Sequence, residues 1–355
     1  VTARLLTFSA TLILVFLFTA STSAQQQPQN VIFLIGDGMG TAQVTALKLS
    51  KHVTNFDRFA LSGFSITRST NNLVTESSAG GTALACGLRT YNGGVGVDTL
   101  GRPVESVLER ARKHGKSAGV VVTSSITHAT PACFLAHVNH RKKELEIAEQ
   151  IAVSGVDVLI GGGRRFFDQH DGTAPKRLLD SMRMRGYSVL SSMPCDTATG
   201  SHLIALLGDE GLPPAGTRTY KLSDMVRCAL DRLGNNEKGF FLMVEGSQID
   251  WACSYNDFSQ LLCEMEDFDG AVGVCLDYAG SHPNTLVLVT ADHETAGLMI
   301  QGKDPGGSDM KALWPSKDHS AAMVPVFAKG PGAEFFGGIQ DNFEIGLKIK
   351  RLLGD

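Results

Sequence analysis

Three short apolar runs, each leading into an acidic residue, constrain the fold of this chain more than any other feature. Val31-Ile32-Phe33-Leu34-Ile35 passes through Gly36 to Asp37. Phe240-Phe241-Leu242-Met243-Val244 ends in Glu245 with Asp250 just beyond, and Thr285 to Thr290 passes through Ala291 to Asp292-His293-Glu294. Runs of this length without polar alternation are the pattern of strands covered on both faces, as in parallel sheets flanked by helices. In an open α/β sheet the ligand site lies beyond the carboxyl ends of the strands, which makes these acids the first candidates for chemistry. One carboxylate at a strand end serves equally well as a helix cap. Several converging with a histidine point to a bound metal ion.

The rest of the chain repeats the rhythm. Val104, Val107, Leu108 and Ala111 fit a helix, Ala118–Val122 a further buried strand, Arg141–Val153 a helix, and Val156–Ile160 a strand running into three glycines. Phe258, Leu261, Leu262, Met265, Phe268 and Val272 recur at helical spacing, with Asn256 or Asp257 as the cap. A last strand is expected over Met323–Ala328 and a closing helix over Phe343–Leu353, whereas residues 164–222 read as a less regular surface excursion. Alternation of this kind predicts an α/β fold with a mostly parallel central sheet covered by helices on both faces. At 355 residues the chain is long enough for one large domain, read here as residues 25–355.

Arg4, the apolar stretch Ala10–Thr19 and the small residues Ser21-Thr22-Ser23-Ala24 read as a signal peptide over residues 1–24, which predicts a secreted or periplasmic protein. That apolar stretch is shorter than a membrane span needs, so no stable membrane anchor is expected. A net charge of −4 supplies no basic footprint for nucleic acid. The seven cysteines are scattered without a CxxC, and read mostly as small buried apolar residues rather than a disulfide scaffold.

Thr75-Glu76-Ser77-Ser78-Ala79-Gly80-Gly81-Thr82-Ala83 places a serine at the start of a small-residue helix, where unpaired backbone N–H groups favour an anion. Alone, such a segment is better explained by close packing. Together with Asn30–Gly40, Thr75–Thr90 and the following Tyr91–Asp98, Thr127–Arg141, Val244–Trp251, Thr290–Gly297 and Asp318–Phe327, in this order, it resembles the alkaline phosphatase family. Thr-His-Ala-Thr-Pro-Ala (Thr127–Ala132) and Glu-Gly-Ser-Gln-Ile-Asp-Trp (Glu245–Trp251) are the most specific segments.

The resemblance implies a metal-dependent phosphate monoesterase with two zinc sites and one magnesium site. It makes Ser77 the nucleophile that becomes a phosphoserine and Arg141 the clamp on two phosphate oxygens, a role suited to a planar guanidinium. Asp37, Asp292 and His293 match the zinc site beside the serine; Thr130 and Glu245, again with Asp37, match the magnesium site, whose oxygen-only donors suit a hard cation. His128 and Trp251 resemble a bacterial branch that pairs these two residues, and His128 is expected to act from behind the ligands rather than as one of them. Small phosphate monoesters of broad range are the implied substrates, and family members are commonly homodimers.

Asp250 and His319 match the other zinc site, but Ser254 stands where the family places a histidine one helical turn after the aspartate. Serine is a poor zinc ligand. Cys253 could substitute, water could fill the gap and leave a weakened site, or the site could be dead; the weakened site is favoured. Glu76 replaces the aspartate usually found beside the nucleophile, with a smaller expected effect on Arg141. The alternatives are a phosphodiesterase or nucleotide pyrophosphatase of the same superfamily, and a non-catalytic phosphate- or metal-binding derivative.

Overall fold

A computed structural model describes residues 27–168, 178–193, 199–303 and 309–354, so the expected leader over residues 1–24 lies outside the described residues. In chain order the elements begin with β1 (Asn30–Gly36), α1 (Thr41–Lys51), β2 (Leu61–Ile66), α2 (Ser77–Cys86), α3 (Val107–Lys113) and β3 (Ser117–Ser125). There follow α4 (Ala129–Leu135), α5 (Glu144–Ser154), β4 (Val158–Gly162), α6 (Arg164–Phe167), α7 (Leu178–Met184), β5 (Tyr187–Leu190), β6 (His202–Leu206) and α8 (Leu222–Leu233). The second half holds β7 (Phe240–Gly246), α9 (Gln248–Ser254), α10 (Phe258–Ser281), β8 (Thr285–Thr290), β9 (Glu294–Thr295) and β10 (Met299–Gln301). It closes with β11 (Lys311–Leu313), β12 (His319–Ser320), β13 (Val324–Lys329), β14 (Gly338–Asp341) and α11 (Asn342–Leu353).

Among the described residues ten strands form one sheet, ordered β14-β2-β13-β8-β1-β7-β3-β4-β6-β5. All neighbouring pairs are parallel except those of β13, which runs against both β8 and β2. The period-two alternation explains the unbroken apolar runs. Val31, Phe33 and Ile35 of β1, with Phe241, Met243, Leu286 and Leu288, face a core shared with α2, α3, α4, α5 and α11. Ile32, Leu34, Leu242, Val244, Val287 and Val289 face the opposite core, against α1, α8, α9 and α10. Each of these side chains is fully buried, and each such burial is worth about 1.5–3 kcal/mol, so neither face tolerates a polar residue. Strands β8, β1, β7 and β3 therefore lie side by side at the centre, and their carboxyl ends open onto one region.

Several expectations need correction. The described part of residues 164–222 is not an excursion: β6 pairs in parallel with β4 and β5 with β6, extending the sheet, and β5, partly buried at the sheet edge, carries little strand signal. The helix expected from Arg141 starts at Glu144, leaving Arg141 in the preceding turn, where its backbone N–H donates to the carbonyl of Gly93. The long helix is capped by Asp257, one of the two residues expected there, whose side chain accepts from the N–H of Gln260, and it runs on to Ser281. The strand at Val324 is antiparallel and is followed by β14. Cys86, Cys133, Cys253 and Cys275 are buried free thiols, Cys263 is exposed, and Cys228 is disulfide-bonded. Among the described residues no helix is long and apolar enough to cross a membrane.

Candidate metal centre

Ser77 is the first residue of α2, whose ten residues are all buried. Glu76 caps the helix: its carboxylate accepts from the N–H groups of Ser78 (3.0 Å) and Ala79 (2.9 Å), from the N–H of Gly93 (2.9 Å) and from the Ser78 hydroxyl. Glycine is required behind the nucleophile, since a Cβ on Gly80 would sit 2.7 Å from the carbonyl oxygen of Asp292. That close approach brings the Ser77 Oγ to 3.3 Å from Nε2 of His293.

Three donor groups adjoin one another, each with its ligand atoms within 4.8 Å: Asp250, His293 and His319; Asp37, Asp292 and His293; Asp37, His128 and Glu245. His293 and Asp37 are shared, so the groups form a continuous chain from the more exposed Asp250 and His319 to the buried Glu245. The acids come from the ends of β1, β7 and β8, and His128 from the turn after β3, as the strand order dictates.

Hydrogen bonds set the tautomers. The single Thr295 hydroxyl proton goes to Oδ1 of Asp250, an acceptor only, so Thr295 Oγ1 must accept from Nδ1–H of His293 at 3.2 Å. The bare Nε2 of His293 then faces Asp37 Oδ1 and Asp292 Oδ2, both at 3.3 Å. His319 behaves alike: Nδ1–H donates to the carbonyl of Thr75 at 3.0 Å and Nε2 lies 3.5 Å from Asp250 Oδ1. The two imidazoles stack, centroids 3.6 Å apart. Burial, and then the neighbouring His319, pushes His293 down to about 3, which keeps it neutral.

Lone pairs aimed at carboxylates call for a cation. Both oxygens of Asp37, Oδ2 of Asp292, Oε1 of Glu245 and Oγ1 of Thr130 are buried without a well-formed hydrogen bond. Burial, and then repulsion from Asp292, Asp250 and Glu245, pushes Asp37 well above the carboxylate range; burial likewise lifts Glu245 to about 7 and Asp292 to about 6. Unpaired buried carboxylates are costly. A divalent cation at each donor group resolves all of these atoms at once, so the residues present fit metal ions.

Arg141 donates through Nη1 to Oε2 of Glu76 at 2.5 Å and through Nη2 to Nε2 of His128 at 3.2 Å. Burial opposes ionisation of Glu76, but Arg141 and the Ser78 hydroxyl overcome it and hold the carboxyl at about 2. His128 stands closer to the donors than expected, within the group of Asp37 and Glu245, and packs edge-on against Trp251 with centroids 6.0 Å apart. His137 is structural, bonded to Gly96 and Glu109.

Cys253 does not turn toward the metal donors. It is fully buried in the core with α10, its sulfur accepts from Nε2 of Gln43 at 3.6 Å, and burial pushes its thiol up. This speaks against the replacement-ligand alternative: residue 253 points about 100° away from residue 254, the position it would have to replace. Ser254 closes α9 one turn past Asp250. Thr295, Gln43, Glu294 and Ser320 were not singled out from the sequence. Only the adjacency of Glu294 and Thr295 to His293 could have pointed to them, since their partners are some 25 to 250 residues away.

A helix-covered α/β sheet carrying a serine beside three metal-donor groups at its strand ends is the architecture of a metal-dependent hydrolytic site. The family model described as alkaline phosphatase matches residues 28–313. Alkaline phosphatase 4 of Bacillus subtilis is 35% identical over 94% of this chain and 92% of its own length. Streptomycin-6-phosphate phosphatase of Streptomyces griseus is 33% identical over 98% and 96%. The structure of alkaline phosphatase from the Antarctic bacterium TAB5 superposes with a TM-score of 0.88 at 37% identity, covering 93% of this chain and 98% of that one. The chain belongs to the alkaline phosphatase family, enzymes that bind metal ions and hydrolyse phosphate monoesters.

Proposed function

We propose that this chain hydrolyses phosphate monoesters in two in-line displacements through a phosphoserine at Ser77. One observation carries the reading: the Ser77 hydroxyl opens α2 at 3.3 Å from His293, beside buried carboxylate oxygens that lack a well-formed hydrogen bond. Asp37, Asp292 and His293 would hold one zinc ion, Asp250 and His319 a second, and Asp37, Thr130 and Glu245 a magnesium ion, with His128 adjoining. Bound there, the cations supply Lewis-acid polarisation of phosphoryl oxygens and stabilisation of an alkoxide or hydroxide.

The chain's own groups do the positioning. Arg141, anchored by Glu76, holds the non-bridging oxygens and opposes their charge. The N-terminus of α2 adds its positive dipole end to the same place. The Ser77 oxygen bonds to phosphorus as the ester P–O bond breaks and the alcohol departs; water then displaces the serine and releases phosphate. These contacts address only the phosphoryl group, which supports broad substrate scope. Ser254 leaves the second zinc site a donor short, which supports weaker retention of that ion. The signal-like leader supports secretion or periplasmic export of a single catalytic domain, and family habit supports a homodimer.

The test is hydrolysis of p-nitrophenyl phosphate and bis-p-nitrophenyl phosphate at alkaline pH with zinc and magnesium, by the mature chain and Ser77→Ala. Monoester turnover that vanishes in the variant is expected. Preference for the diester contradicts the reading, and no turnover of either favours the binding derivative.

A further inference from the structure

Glu294 is buried, 4% exposed, and among the described residues no cationic side chain pairs with it. Its carboxylate is nevertheless saturated. Oε1 accepts from Nε2 of Gln43 (3.2 Å) and the N–H of Leu298 (3.3 Å); Oε2 accepts from the N–H of Gly297 (3.2 Å) and the Ser320 hydroxyl. Gln43, itself fully buried in α1, also donates to the carbonyl of Thr295 (3.1 Å) and to the sulfur of Cys253.

These bonds join the three segments that carry the outer donor group. Glu294 follows His293 directly, Ser320 follows His319, and Cys253 lies three residues after Asp250. The antiparallel pairing of β9 with β12 sets Ser320 opposite Glu294 and His319 opposite Thr295. The chain is shaped to admit the carboxylate: a Cβ on Gly40 would lie 2.3 Å from Cγ of Glu294. Ala296, at a left-handed φ of 72° that disfavours any residue with a Cβ, is held by the carboxylate bonds to the next two N–H groups and by its own bond to the carbonyl of Asp318.

We infer that Glu294, acting through Gln43 and Ser320, is a positioning residue that sets the spacing of Asp250 and His319, and of the adjoining His293, without touching the ions these residues would hold. The inference rests on the proposed metal reading of that donor group. It gives a buried carboxylate with only neutral donors a purpose: with Asp250 and His319 on separate segments and no third protein ligand at Ser254, the geometry depends on what lies behind them.

The experiment compares the full mature chain with Glu294→Ala, Glu294→Gln, Ser320→Ala and Asp250→Ala. It measures zinc bound per chain, zinc affinity by competition with a chelator, the visible spectrum of the cobalt form, the melting temperature of the metal-free protein, and kcat and KM. Glu294→Ala is expected to weaken one zinc by about 10- to 100-fold, alter the cobalt spectrum and lower kcat with little change in KM. Glu294→Gln should lie between, since an amide must present its NH2 group to a donor on one side. Ser320→Ala removes a single hydroxyl and decides the matter if Glu294→Ala does not fold: a weakened zinc at unchanged metal-free melting temperature supports the inference. Zinc affinity within twofold of the parent in the folded variants overturns it. If Asp250→Ala also leaves zinc content and affinity unchanged, the metal reading of the outer group fails, and the inference with it.

Discussion

Replacing Glu76 tests how the phosphate clamp is held. In Glu76→Gln the charge that balances Arg141 is gone, and an amide NH2 must face a donor, because both carboxylate oxygens already accept N–H bonds. The carboxyl is held at about 2 against an ordinary value of 4.5, which corresponds to roughly 3 kcal/mol of stability at neutral pH. For a chain of this size, at about 2 cal/mol/K of unfolding entropy per residue, that is a fall of about 4 °C in melting temperature. The sign of the pH dependence follows from the lowered value. The contribution is complete above pH 4.5 and is lost as pH falls toward 2, so the melting curves of parent and variant converge across that window. Freed from Glu76, Arg141 loses its orientation, and inorganic phosphate should inhibit at least about tenfold more weakly, the scale of one charge-assisted hydrogen bond. Thermal melts from pH 2 to 8 and phosphate inhibition of p-nitrophenyl phosphate turnover measure both effects. A variant with unchanged melting temperature and unchanged phosphate inhibition refutes the clamp as described.

Ser254→His should supply the missing donor and tighten zinc at the Asp250–His319 site by at least about tenfold, read as zinc retained after dialysis; unchanged retention means that the site was not short of a ligand. Gly80→Ala, whose Cβ would meet the Asp292 carbonyl oxygen at 2.7 Å, should cost about 1–3 kcal/mol and lower kcat by moving Ser77 relative to Asp292, as melts and steady-state kinetics would show. Chelation should lower the melting temperature at pH 8 by several degrees, with recovery on adding zinc and magnesium, because the unpaired oxygens of Asp37, Asp292 and Glu245 lose their counter-charge.

The central strands were legible because burial on both faces writes itself as an unbroken apolar run, and each run handed its acid to the site. Strand β5 was not, since it is only partly buried at a sheet edge. The reversed direction of β13 leaves no local mark at all. Ser77 and Arg141 carried weak signals of their own, and the family resemblance singled them out. Glu294, Gln43 and Thr295 escaped notice for a physical reason: a side chain that orients a ligand is defined by contacts made only after folding. Cys253 was the less favoured alternative for the vacant position, a chemically capable neighbour that packs into the core.

The most direct test of the central claim is acid quenching of the metal-loaded chain during turnover of p-nitrophenyl phosphate, followed by peptide mass analysis. The account predicts a phosphoryl group on the peptide containing Ser77, absent in Ser77→Ala and lost to water when quenching is delayed until substrate is exhausted. Steady turnover with oxygen-18 water, inverted stereochemistry at a chiral phosphate monoester and an unmodified Ser77 would contradict it, because one displacement inverts phosphorus and two retain it.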